Sequence, residues 1–202
     1  MPEKYPNGTV RALLLTNQVT EVTRQALTER LETSYRKPDF FSETAFGLLK
    51  AICRRLVPQD ENQPHIDIAG GIDERLVQNK SDGWRYDTMP ADGEAYKLGL
   101  AGVEETASLL FEASFQSLSE EQQDEVLQQI QQEDAPGETW KKLPANRFFE
   151  ELLAEATTNY YSHPLAQEAI GYVGMADVPG WQRIGLNQLE DREPKEIMIN
   201  DE

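Results

Sequence analysis

The sequence predicts an all-α fold: an irregular helical domain with long loops and a C-terminal segment rich in glycine and aromatic residues. Three observations predict it. Apolar residues recur at helical spacing in window after window. Alternating strand patterns are nearly absent. Proline or glycine closes most of the periodic segments, as expected of helices joined by loops.

The first predicted helix covers about residues 18–35, where Val19, Val22, Ala26, Leu27 and Leu31 fall near one face and Pro38 closes the segment. Ser42 is suited to cap the next, which presents Phe46, Leu49, Ile52, Cys53 and Leu56 before Pro58 ends it. Asp67 starts a short helix carrying Ile68, Ile72, Leu76 and Val77. Gly70 and Gly71 lie inside it, where each costs about 1 kcal/mol relative to alanine; a close helix approach or a kink would explain them. Residues 79–92 read as a polar loop around Trp84, Tyr86 and Pro90.

A long helix is expected over about residues 93–116, with Tyr96, Leu100, Val103, Ala107, Leu110, Phe111 and Phe115 as its apolar positions. Ser119 with Gln122 is a capping-box signature, and the helix it opens presents Val126, Leu127 and Ile130. After Pro136-Gly137 and Pro144, a further helix over 146–161 stacks Phe148, Phe149, Leu152, Leu153, Ala156 and Tyr160 in a wide stripe of the kind that builds a core. His163-Pro164 ends it. From there to Trp181 ordered irregular structure is expected, and beyond Leu189 a charged tail, mobile unless a partner holds it. The organisation is therefore an N-terminal arm with one helix (1–38), a helical domain (39–188) and the tail (189–202).

The chain has 202 residues, 36 of them acidic and 19 basic, for a formal net charge of −17. Such a field repels phosphates and anionic headgroups, which argues against nucleic acid and membrane surfaces as partners. A mean hydropathy of −0.62 lies on the polar side of globular, so peripheral segments are expected to lean on a partner for order. No run approaches the roughly 18 apolar residues of a membrane span. Ala12-Leu13-Leu14-Leu15 is too short for a signal region, and no twin-arginine pair precedes an apolar stretch. A cytoplasmic location is expected on that basis, and a periplasmic one if a leader is removed or export takes another route.

Sites for chemistry are hard to find. The chain lacks a Walker A loop and a glycine-rich dinucleotide turn. His65 and His163 are its histidines, and neither has metal-ligand spacing to another ligand; no calcium loop or nucleophile elbow is present. The lone Cys53 lies in an apolar helical pattern and is expected to be a buried core residue. Glu104-Glu105, Glu120-Glu121 and Glu150-Glu151 read as solvated helix faces. The stretch from Ser119 to Glu138 holds seven acids and no base, an exposed face or a docking surface for a basic partner. His163, at the end of an apolar helix, is expected to bond the last helix carbonyls, with a subunit interface as the alternative. No catalytic, cofactor-binding or metal-ligating residue is nominated.

The segments Phe148-Phe149-Glu150-Glu151-Leu152-Leu153, Tyr160-Tyr161-Ser162-His163-Pro164, Glu168-Ala169-Ile170-Gly171-Tyr172-Val173-Gly174 and Gly180-Trp181 resemble the gluconate 2-dehydrogenase subunit 3 family. Phe40-Phe41-Ser42, Leu56-Val57-Pro58-Gln59-Asp60, Ile68-Ala69-Gly70-Gly71-Ile72-Asp73 and Leu118-Ser119 with Gln122 extend the resemblance over residues 39–186. The chain departs from the family at Leu165-Ala166-Gln167-Glu168, where many members carry Gly-Gly-Asn, and in lacking the twin-arginine signal many members have.

The resemblance implies a non-catalytic small subunit that binds and stabilises a large FAD-dependent subunit of the glucose–methanol–choline type, which oxidises a sugar, sugar acid or related alcohol. Some such complexes add a cytochrome subunit. FAD is expected on the partner and no cofactor on this chain. Aromatic anchors tend to dominate interfaces, so Tyr160, Tyr161, His163, Pro164, Tyr172 and Trp181 are the candidate contacts. The alternatives are a stand-alone acidic binding or chaperone-like protein without a redox partner and, third, an independent enzyme using carboxylates.

Overall fold

The structure, a computed structural model, describes residues 8–33, 37–60, 64–81, 89–174, 185, 186 and 188. Among these are eight α-helices, two short 3-10 turns and no strand, so the fold is all-α. The chain divides into two compact units, one joining 1–33 to 162–202 and the other spanning Ser34–Tyr161. The sequence predicts boundaries at 38 and 188. Side chains far apart in sequence, Arg11 and Glu168 among them, pair the two ends of the chain in one unit, and periodicity carries no trace of such pairing.

The smaller unit holds α1 (Thr9–Leu13), α2 (Glu21–Glu32) and α8 (Pro164–Ala169). Its core is Val10, Leu14, Val19 and Leu27, with Leu13, Leu31 and Val173 packed against it. The arm therefore has two helices rather than one. A five-residue α1 is far too short to stand alone, and its own N-cap, Gly8, supplies no side-chain bond. Glu168 of α8 caps it instead: the carboxylate accepts the N–H of Gly8 at 3.2 Å and of Arg11 at 3.0 Å, and pairs with the Arg11 guanidinium at 3.0 and 3.1 Å.

The larger unit holds α3 (Glu43–Leu56), α4 (Ile68–Val77), α5 (Asp92–Phe111), α6 (Glu120–Gln131) and α7 (Ala145–Tyr161). Side-chain oxygens of Ser42, Asp67 and Ser119 accept the first-turn N–H groups of α3, α4 and α6, as the sequence predicts. The capping box at Ser119 and Gln122 is complete, with Gln122 Oε1 returning to the Ser119 N–H at 3.1 Å. Ser119→Ala is expected to cost about 1 kcal/mol, read as a lower urea midpoint at unchanged slope.

Leu49, Ile52, Ile72, Val103, Phe115, Val126, Ile130, Phe148 and Leu152 form the fully buried centre of this unit. Gly71 reports a close approach rather than a kink, since a Cβ there would lie 2.2 Å from Asn159 Oδ1 of α7. Its neighbour Gly70 leaves room for the Asp67 cap, whose carboxylate would lie 2.4 Å from an added Cβ.

Two further expectations need correction in the larger unit. The long helix stops at Phe111, where Glu112 turns left-handed at φ 54°, and Phe115 enters the core from a separate 3-10 turn, Phe115–Ser117. The glutamate pair of α5 is not simply solvated: Glu104 accepts the Phe115 N–H at 3.2 Å, and Glu105 accepts those of Glu138 and Thr139 at 2.9 and 3.0 Å. Loop backbone needs acceptors, and α5 provides them. On α6 the reading holds better: Glu120 and Glu121 are exposed, and Glu120 and Asp124 flank Arg55 of α3.

Candidate functional site

A cleft of about 260 Å³ opens in the larger unit, lined by α4, the start of α5 and one face of α7. Its inner surface is apolar, with Met89, Ala95 and Phe148, and its charged groups are Arg75, Asp92, Glu151 and Glu155. Each arrives for a local reason. Arg75 lies in the last turn of α4, where a cation complements the helix dipole, and Asp92 in the first turn of α5, where an anion does. Glu155 follows Phe148 and Leu152 by helical spacing, which turns it toward the core side of α7.

Arg75, Asp92 and Glu155 are committed to one another. Arg75 Nε and Nη2 meet the two oxygens of Glu155, the second contact at 2.8 Å. Arg75 Nη1 donates to Asp92 Oδ2 at 2.6 Å and to the Lys80 carbonyl at 2.7 Å. The hydroxyl of the buried Tyr96 donates to Glu155, and the Arg75 guanidinium lies 5.9 Å from the Tyr96 ring centre.

Burial, with the Glu155 charge behind it, raises the Tyr96 phenol well above its usual range. Burial works against the Arg75 charge, but the bonds from Glu155 and Asp92 outweigh it and raise that pKa too. Neither group changes protonation near neutral pH, so neither is poised for acid–base work. The arrangement is a brace between three helices.

Cys53 is buried, as expected, at 4% exposure. Burial, followed by the charges of Glu155 and Asp67, pushes its thiol up to about 12. The thiolate is the reactive species. A chromogenic disulfide reagent at mildly alkaline pH is therefore expected to leave Cys53 untouched in the folded chain and to modify it fully in denaturant. Fast labelling of the folded chain would contradict a core role. Among the described residues no group of His, Cys, Asp and Glu is arranged to hold a metal ion.

The candidate interface residues are divided by the structure. Tyr160 and Tyr161 close α7 in the larger unit, their rings edge to face with centres 5.0 Å apart, and Tyr161 is 49% exposed. His163, Pro164 and Tyr172 belong to the smaller unit. Tyr172 is 49% exposed, whereas Pro164 is buried at the start of α8. Trp181 lies outside the described residues, as do Trp84, Tyr86 and the tail from Leu189.

His163 departs from its expected role. It does not bond the carbonyls of α7; it caps α8, accepting the Leu165 N–H at Nδ1 at 3.2 Å. Its Nε2 meets the carbonyl of Arg30, in the last turn of α2, at 2.9 Å. Carbonyl bonding is thus correct in kind and belongs to a different helix. No sequence pattern announces the Arg75, Glu155 and Tyr96 cluster as a whole. The available signal was Glu155 and Asn159 continuing the core stripe of Phe148 and Leu152, polar residues where apolar ones were due.

The family model for gluconate 2-dehydrogenase subunit 3 matches residues 43–180. No curated protein and no solved structure matches the chain. No helix among the described residues is long and apolar enough to cross a membrane.

Proposed function

Because the chain belongs to the gluconate 2-dehydrogenase subunit 3 family, a subunit of a dehydrogenase complex, we propose that it is a non-catalytic small subunit that binds and stabilises a large FAD-dependent sugar, sugar-acid or alcohol dehydrogenase subunit of the glucose–methanol–choline type. The observation that carries this reading is the family match over 43–180, which spans α3 through α8. The cleft is in keeping with it. Arg75 and Tyr96 serve as structural ties, and Cys53 is held as a protonated core thiol. FAD belongs on the large subunit, and a cytochrome subunit completes some complexes. The cytoplasm is the proposed compartment, with the periplasm as the alternative; the single buried thiol is compatible with either.

A subunit that binds only the folded partner stabilises it by mass action. Co-expression of a large FAD-dependent dehydrogenase subunit with and without this chain tests the reading. The expected result is a yellow complex that co-purifies with this chain, and a large subunit that is less soluble and poorer in flavin without it. A large subunit equally soluble, flavin-loaded and active alone would overturn it.

A further inference from the structure

The bond partners of His163 fix its protonation state. The Leu165 backbone N–H can only donate, so Nδ1 must carry a lone pair; the Arg30 carbonyl can only accept, so Nε2 must carry the proton. Only the neutral Nε2–H ring satisfies both. The same junction is closed a second time by Arg30 Nη1, which donates to the Ser162 carbonyl at 2.8 Å. One helical turn farther along α8, Glu168 caps α1 and pairs with Arg11. All three helices of the smaller unit therefore meet through α8.

We propose that His163 is an acid-sensitive latch: its neutral ring ties the start of α8 to the last turn of α2, and protonation at Nδ1 breaks the cap and loosens α1, α2 and α8 together. A proton on Nδ1 removes the acceptor for the Leu165 N–H and places a cation at the N-terminus of α8, where the helix dipole disfavours it. The charged groups on the surrounding helices do not offset this. The ring is faced by the Arg30 guanidinium of α2, which adds repulsion. On α8, Glu168 is occupied by Arg11 of α1. On α2, Glu29 accepts from Gln25, Arg24 bonds Glu21 and the Thr16 and Val19 carbonyls, and Glu32 is exposed.

The direction of the effect follows from the lowered pKa, whose largest cause is burial. A base that is harder to protonate when folded contributes stability that is complete above its ordinary value of 6.5 and is lost as pH falls through the lower folded value. Loosening uncovers Val10, Leu14, Val19 and Leu27.

The test uses the full chain uniformly labelled with 15N, with His65→Gln to assign the two ring systems, and reads ring nitrogen shifts and amide protection across the mildly acid range. The expected ring is the Nε2–H form at neutral pH, titrating below 6.5. Protection of the α1 and α8 amides is expected to fall by up to about tenfold per pH unit over the linked range. His163→Asn keeps an acceptor suited to an N-cap but does not titrate, so its protection should be independent of pH there. A mixture of tautomers, titration at or above the ordinary value, or the same acid loss of protection in His163→Asn would each overturn the proposal.

Discussion

Glu155→Ala is expected to destabilise the larger unit by about 3 kcal/mol, the low end of what removing one partner of a buried ion pair costs. The Glu155 and Arg75 side chains are 14% and 26% exposed, so the charge left behind is poorly hydrated. Asp92 still holds Arg75 Nη1, which moderates the loss. Tyr96 has no such reserve: its hydroxyl, on a residue 3% exposed, loses its acceptor, and an unsatisfied buried hydroxyl costs about 1–3 kcal/mol by itself. Glu155→Gln keeps an acceptor for Tyr96 and gives up the charge, so it should cost about half as much. Urea unfolding of the three proteins checks this. A Glu155→Ala midpoint indistinguishable from the parent would mean that the Arg75 cluster is a surface ion pair of little weight.

The same cluster shows why the sequence is an uneven guide. Ser42, Asp67 and Ser119 were readable as caps because capping is local: acceptor and N–H lie within one turn. The stripes of α3 and α7 were readable because Leu49, Ile52, Phe148 and Leu152 repeat at the helical period and face one core. Arg75 and Glu155 lie 80 positions apart, and their meeting is fixed by how α4 packs on α7. Charged residues are so common in this chain that no pair stands out by type.

Long-range capping failed for the same reason. Thr9–Leu13 is helical because Glu168 satisfies its first turn from the other end of the chain. His163 reads as a helix end when only α7 is in view. Once α2 packs beside α8, it becomes a cap on one helix and a donor to another. Asp73 is a further case. Buried to 5% exposure, it accepts the N–H groups of Asp39, Phe40 and Phe41, a backbone cradle that no spacing rule announces.

Gly99 and Phe148 allow the sharpest test of packing. Phe148 is 2% exposed, and its ring lies so close to α5 that a Cβ on Gly99 would come within 2.1 Å of it. Helix propensity alone predicts that Gly99→Ala stabilises α5 by about 1 kcal/mol. Overpacking a filled core costs about 1–3 kcal/mol, and the clash is with an aromatic ring wedged between helices, which cannot move aside like the end of a flexible chain. Gly99→Ala is therefore expected to be net destabilising by about 1–2 kcal/mol. Phe148→Ala should cost about 3–5 kcal/mol through lost burial and the cavity left behind. The two changes are not independent. In the double variant the new methyl enters space the ring has vacated, so the clash vanishes while the propensity gain remains. The double variant should then be at least as stable as Phe148→Ala alone, with a coupling of about 2 kcal/mol in the cycle. Chemical denaturation of the four proteins measures it. Simple additivity, or a stabilising Gly99→Ala in the parent, would show that the glycine is there for some reason other than the ring of Phe148.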